Sequence, residues 1–257
     1  MIEFAISVGK LLFPRNVKME IAKKLHPWWR PSNIRDSSLR LHLGCGANYF
    51  PGYINVDLPV EFHVEGYACQ PDMFADARAL PFWKESVTEI QAHHIVEHFD
   101  RPGVLRLLIH WYELLEPGGE IVISTPNLVK AAKRSDKWWI SDRERMLAIR
   151  HIFGSQDVTW AYHLDGWSKW KWKLLLPLLG FEHFRFREYT SNRMDHLIVR
   201  ARKARTPVSL GQLLQNSIAF LEMSGSDSED SAVESWVNQL VEGSSQGIMN
   251  SKRYYKS

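Results

Sequence analysis

The segment Leu41-His42-Leu43-Gly44-Cys45-Gly46, followed by Tyr53-Ile54-Asn55-Val56-Asp57, constrains this chain more than any other part of it. A short apolar run enters two glycines spaced one apart, and a second short run ends in a carboxylate. Glycine permits a sharp turn and leaves no Cβ between backbone and ligand. A carboxylate closing the neighbouring strand can accept both hydroxyls of a ribose. Together they predict a ribose-bearing ligand at the carboxyl edge of a parallel sheet.

A dinucleotide site requires a third glycine, in the pattern G-x-G-x-x-G. Here Ala47, Asn48 and Tyr49 follow Gly46, and Gly52 lies too far along. The pyrophosphate cradle is incomplete, so a cofactor with a ribose and no phosphates fits better, and S-adenosylmethionine has that composition. At this point the chain resembles the class I S-adenosylmethionine-dependent methyltransferases. It looks closest to the methyltransferase type 11 group and to predicted methyltransferases of bacterial surface-sugar gene clusters. The matching pieces are LHLGCG, INVDL, ADARALPF at 75–82, HHIVEHF at 93–99 and LLEPGGEIVISTPN at 114–127, and the likeness spans 38–202. It implies a Rossmann-like α/β fold: a mostly parallel sheet with a terminal antiparallel hairpin. One spacing departs from the family. Only ten residues separate Gly46 from Asp57, so the helix usual between the first two strands must be short or absent.

The resemblance also implies roles. Gly44, Cys45 and Gly46 line the methionine portion and Asp57 takes the ribose. Asp76 and Ala77 meet the adenine, and His93 is counted with the cofactor contacts. The reading of Asp76 as a turn cap stands beside this. On a helical turn His94, Glu97 and His98 project to one side. H-x-x-E-H is a zinc signature of inverted metalloproteases, but here it directly follows a strand and has no evident third ligand. Small-RNA 2′-O-methyltransferases and ubiquinone-pathway O-methyltransferases hold a divalent ion at this place. By that likeness Glu97 and His98, with His163 as the distant ligand and His94 in place of a carboxylate, form a tentative metal site. The nitrogen-rich set favours zinc, manganese or iron over magnesium. Three readings stay open for His94, Glu97, His98 and His163: metal ligands, a metal-free catalytic base, or structural groups.

Composition narrows the class. With 45% hydrophobic residues the chain is an ordinary folded protein. No run reaches the roughly 18 apolar residues of a membrane span. The N-terminus is broken by Lys10 and Pro14 and shows no signal-peptide cleavage site. Of the two cysteines, Cys45 sits in the cofactor loop, so a reducing, cytoplasmic setting is expected. The net charge of +3 is unevenly spread. Residues 1–40 carry 8 basic and 3 acidic groups, 41–127 carry 4 and 12, and 128–205 carry 17 and 8. Basic segments flanking an acidic cofactor half point to an anionic partner.

Three segments are expected. Residues 1–38 form an amphipathic helical cap, and 1–30 could contact a membrane peripherally. Residues 39–205 form the methyltransferase domain, with strands at 40–43, 53–57, 87–92 and 120–125, a helix from Pro102 to Leu115, and a turn at Glu116–Gly119. An insert at 128–172 shapes the substrate side, where Gln156, Tyr162 and Asp165 could orient a hydroxyl. The helix Trp172–Leu179 leads to hairpin strands at 184–189 and 196–202. Residues 206–257 form a helical, partly disordered tail. The expected activity is O-methylation of a carbohydrate or other small anionic acceptor with histidine-assisted deprotonation. RNA methylation is a weaker alternative, since no RNA-binding module is recognisable. A non-methylating cofactor-binding scaffold is the other.

Overall fold

The computed structural model describes residues 39–59, 69–158, 160–226 and 228–245. The expected N-terminal cap and the last residues of the tail lie outside them. Five strands run parallel: β1 (Leu39–Leu43), β2 (Ile54–Asp57), β3 (Met73–Phe74), β4 (Val87–His93) and β5 (Leu115–Pro126). The hairpin β6 (Phe181–Ser191) and β7 (Met194–Lys203) adds two more, with β7 antiparallel to β5. The sheet order is β3-β2-β1-β4-β5-β7-β6. This is a Rossmann-like α/β sheet whose order reverses between β1 and β4. Ligands bind at such switch points, beyond the carboxyl ends of the strands.

Helix α1 (Arg101–Leu114) packs against the sheet. Asp100 caps it by accepting from the Gly103 N–H at 2.7 Å, and Pro102 sits in the first turn, where no backbone donor is needed. Leu105, Leu108 and Trp111 join Leu41, Leu43, Ile90 and Ala92 in the core. From the same helix the Trp111 indole donates to the Ala77 carbonyl at 3.0 Å, and His110 Nε2 accepts from the Leu80 N–H at 3.1 Å. The segment after β3 is thereby pinned to the core.

The insert expected on the substrate side contains two helices, α2 (Leu128–Ser135) and α3 (Asp142–Phe153). Asn127 caps the first; Ser141 and Glu144 form a reciprocal capping box on the second. Helix α4 (Lys169–Leu178) follows and ends at Gly180, whose φ is +75°. Helices α5 (Leu210–Glu222) and α6 (Asp230–Ser245) pack beside α1, where the Arg106 guanidinium donates to the Gln239 carbonyl at 2.9 Å.

Two local expectations change. The Glu116–Gly119 turn is a bulge inside β5: Leu115 pairs with Val87 and Glu120 with Glu89, so four residues on one strand oppose Thr88 alone on the other. Gly118, at φ +86°, takes the bend. No helix links β1 to β2, as the short spacing required. The buried Asn55 side chain organises the connection instead. It accepts from the Phe50 N–H at 2.8 Å and donates to the Phe50 carbonyl at 3.1 Å and to Asp72 at 3.0 Å.

Candidate active site

Past β1 the backbone enters the left-handed region at Gly44 (φ +58°) and Gly46 (φ +50°). A Cβ on Gly44 would lie 2.8 Å from Ile95 Cδ1, so both conformation and space require glycine there. The loop then folds onto the end of β2. Asp57 Oδ2 accepts from the Gly46 N–H at 2.6 Å, and Oδ1 accepts from the Leu58 N–H at 2.7 Å. The Cys45 thiol lies 3.7 Å from the same Oδ2. Burial and the adjacent carboxylate push this thiol up to about 12, so Cys45 is a donor and not a nucleophile.

A cavity of about 320 Å³ opens at this edge, within the usual range of ligand sites. Gly44 and Asp57 line it from the ends of β1 and β2. Asp76, Ala77 and Arg78 line it from the segment after β3, His94 and His98 from the end of β4, and Trp160 and Leu164 from the insert. Six of the expected cofactor and catalytic residues therefore share one cavity: Gly44, Asp57, Asp76, Ala77, His94 and His98. Cys45 and Gly46 stand behind Asp57 rather than on the cavity wall. The Asp76 carboxylate is also a turn cap: Oδ1 accepts from the Arg78 N–H at 2.9 Å, and both oxygens meet the Arg78 guanidinium.

His93 requires a correction. Side chains alternate along a strand, so His93 shares a face with Gln91, while Ile90 and Ala92 enter the core against α1. His93 Nε2 pairs with Gln91 Oε1 at 3.1 Å, its ring packs on His42 and Phe50, and it is not among the residues lining the cavity. Burial, aided by His42 and His94, lowers it to about 4, so it is neutral near pH 7.

The cluster expected to be catalytic sits where β4 ends. His94 has φ +56°, an uncommon conformation for a residue with a Cβ, and its N–H donates to the Ser124 carbonyl at 2.8 Å. A 3-10 turn at Val96–His98 follows. His94 Nδ1 lies 2.9 Å from Glu97 Oε1, and its Nε2 lies 3.0 Å from His196 Nδ1. His196 Nε2 meets Ser191 Oγ at 3.0 Å. A carboxylate only accepts, so His94 Nδ1 carries the proton. With the His94 ring neutral, His196 Nδ1 donates to His94 and the Ser191 hydroxyl donates to His196. Both His94 nitrogens are thus engaged, and His94 is not a metal ligand in this arrangement.

Glu97 is 1% exposed, and its Oε2 has no hydrogen-bond partner. Burial is the largest influence on this carboxyl and pushes it up. The His94 hydrogen bond, with the electrostatic influence of the neighbouring His94 and His98 rings, outweighs burial, so its pKa is lowered and it is ionised. Ligand atoms of Glu97, His98 and His163 lie within 4.8 Å of one another. His98 Nδ1 donates to the Tyr162 carbonyl at 3.1 Å and His163 Nδ1 to the Ile152 carbonyl at 3.2 Å. Each ring keeps Nε2 as its lone-pair nitrogen, the arrangement by which metal-binding histidines are oriented. Burial lowers His163, favouring the neutral form that can ligate or accept a proton.

The insert divides into a core part and an exposed part. Trp167 and Trp172 stack at 4.0 Å and are buried, so they are packing groups rather than acceptor contacts. Asp165 is ion-paired with Lys171 and so is not a free group for orienting a hydroxyl. Tyr162 contributes its carbonyl to His98, and Gln156 is exposed. Leu164 and Asp165 donate their N–H groups to the Glu97 carbonyl at 2.8 and 3.3 Å, clamping the insert to the turn. His196, Ser191, Arg78 and Leu164 escaped sequence reading. His196 lies 102 residues from His94, and no local pattern announces such a contact.

No family model matches this chain, and no curated protein matches it. Solved structures of similar fold exist. The chain is similar to an S-adenosylmethionine-dependent methyltransferase from Mesorhizobium loti (19% identity, 65% of this chain, 91% of that one, TM-score 0.46). It is also similar to ones from Methanosarcina mazei (13%, 66%, 94%, 0.43) and Archaeoglobus fulgidus (15%, 73%, 91%, 0.41).

Proposed function

We propose that this chain is a methyltransferase that uses S-adenosylmethionine to methylate a hydroxyl oxygen of a small acceptor, with carbohydrates the favoured class. One observation carries the reading. A ribose-type carboxylate, Asp57, and the Asp76–Ala77 segment share a cavity with His94 and His98. Gly44 lets a ligand approach the backbone, Asp57 would hold the ribose, and Asp76 and Ala77 would hold the adenine. The cofactor supplies a methyl group on a sulfonium.

The chain's own residues supply position and proton removal. His98 lines the cavity with Nδ1 spent on the Tyr162 carbonyl, so Nε2 faces the task of accepting the hydroxyl proton. Ionised Glu97 lies beside it and would stabilise the imidazolium that forms. His94, His196 and Ser191 fix the orientation of Glu97.

A second reading is favoured by the unpartnered Oε2 of buried Glu97. In it Glu97, His98 and His163 hold a divalent cation that would polarise the acceptor oxygen. Elemental analysis of the purified chain, with methyl transfer measured before and after chelation, separates the two. Unchanged transfer in a metal-free sample removes the second reading. Incubation with methyl-tritiated cofactor and a panel of sugars and sugar phosphates tests both. An alkali-stable methyl ether is expected; an alkali-labile methyl ester would overturn the hydroxyl assignment.

A further inference from the structure

We propose that the outer face of the insert docks on an anionic lipid bilayer. Trp138 is 83% exposed and Trp139 64%, and the two rings stand next to each other in the chain with their centres 5.8 Å apart. Beside them in the chain, Met146, Ile149 and Phe153 are also exposed. Their spacing of three and four residues places them on one side of α3, while Ala148 and His151 of the opposite side are buried. Among the described residues this apolar stripe is left to solvent. An exposed apolar patch rimmed by polar groups marks an interaction surface.

Charge identifies the partner. Lys133, Arg143 and Arg150 are exposed around the stripe, and Lys137 Nζ lies 5.6 Å from the Trp139 ring centre. Of the nearby acids, Asp142 is paired with Arg145 at 3.5 Å and Glu144 with Arg193 at 3.6 Å, leaving Asp136 and Asp157. Over residues 128–158 the balance is 7 basic to 4 acidic. Tryptophan beside lysine and arginine is the chemistry of the headgroup layer, where the ring enters the interface and the cation meets lipid phosphate. Two other occupants fit less well. The segment 1–40 is itself basic, 8 to 3, and a second copy would set the same cations against one another.

The patch is continuous with the site. Phe153, at its end, accepts the His163 N–H at 3.1 Å, and Gly154 bridges Tyr162. Tyr162 and Leu164 are exposed, and Leu164 lines the cavity. A chain lying on this face would bring its cavity close to the headgroups. Docking itself requires neither cofactor nor transfer, so its failure leaves the methyltransferase reading untouched.

Co-sedimentation of the full chain with vesicles of phosphatidylcholine, and of phosphatidylcholine with phosphatidylglycerol, tests the proposal. Pelleting that requires phosphatidylglycerol and weakens with salt is expected. The double variant Trp138→Ala/Trp139→Ala should lose about tenfold in partitioning, and Arg143→Glu/Arg150→Glu should lose the dependence on anionic lipid. Circular dichroism and thermal melting show whether the variants keep the wild-type fold. A chain that ignores both vesicles, or whose pelleting survives both variants, overturns the proposal. So does a dimer of the wild type that the tryptophan substitutions dissolve.

Discussion

The two sides of the cavity are built differently. On the β1–β2 side the groups that shape the site lie close in sequence. Asp57 collects Gly46, Leu58 and Cys45, and Asn55 gathers Phe50, with partners at most 17 residues away. On the β4 side, beyond the local His94–Glu97 contact, the partners of His94 and His98 lie 102 and 64 residues away, on β7 and the insert. The first side is a local motif, and under the proposed function it is the side that selects the cofactor. The second exists only once the sheet has assembled, and under the proposed function it is where acceptor choice and proton handling belong.

The largest effect should come from the local side. Asp57→Ala removes the ribose acceptor and the anchor of Gly46, and cofactor affinity measured by calorimetry should fall by about 100-fold or more, as for two lost charge-assisted hydrogen bonds. Glu97→Gln probes the other side. Methyl transfer should drop by about 100-fold while cofactor affinity changes little, the split expected when only acid–base or metal support is removed. Equal losses in binding and turnover would erase the distinction between the sides.

His196→Asn sharpens the comparison further, because His196 acts through His94. Turnover should fall about tenfold, as for outer-shell partners, with the pH–rate profile displaced. An unmoved profile would make His196 merely structural.

The smallest effect concerns stability. His93 and His196 are lowered to about 4, chiefly by burial. In the unfolded chain these rings titrate near about 6.5. Between those values the unfolded state binds more protons, so stability rises with pH. Melting temperature should therefore fall on acidification from about pH 6.5 toward 4, and His196→Asn should flatten that slope.

Much of this was legible before the structure. Apolar runs ending in glycine or a carboxylate located β1 and β2, the run at 87–92 located β4, and Pro102 with the Leu105–Leu108 spacing located α1. Each was placed within a residue or two. The two residues of β3 are too short to show a period. In α3 the capping box at Ser141–Glu144 was present in the sequence, but the exposed Met146, Ile149 and Phe153 obscured its polar face. The Glu116–Gly119 turn signal was sound chemistry in the wrong setting. Pairing of Leu115 with Val87, and donation from Lys203 Nζ to the Leu115 carbonyl at 2.7 Å, draw it into the strand. The catalytic cluster was half legible: Glu97, His98 and His163 converge, whereas His94 turns to His196.

Calorimetric titration of S-adenosylhomocysteine into the full chain tests the central claim most directly. Saturable binding of one molecule per chain, abolished in Asp57→Ala, is predicted. A flat thermogram with correctly folded wild type, or binding that Asp57→Ala leaves intact, would contradict it.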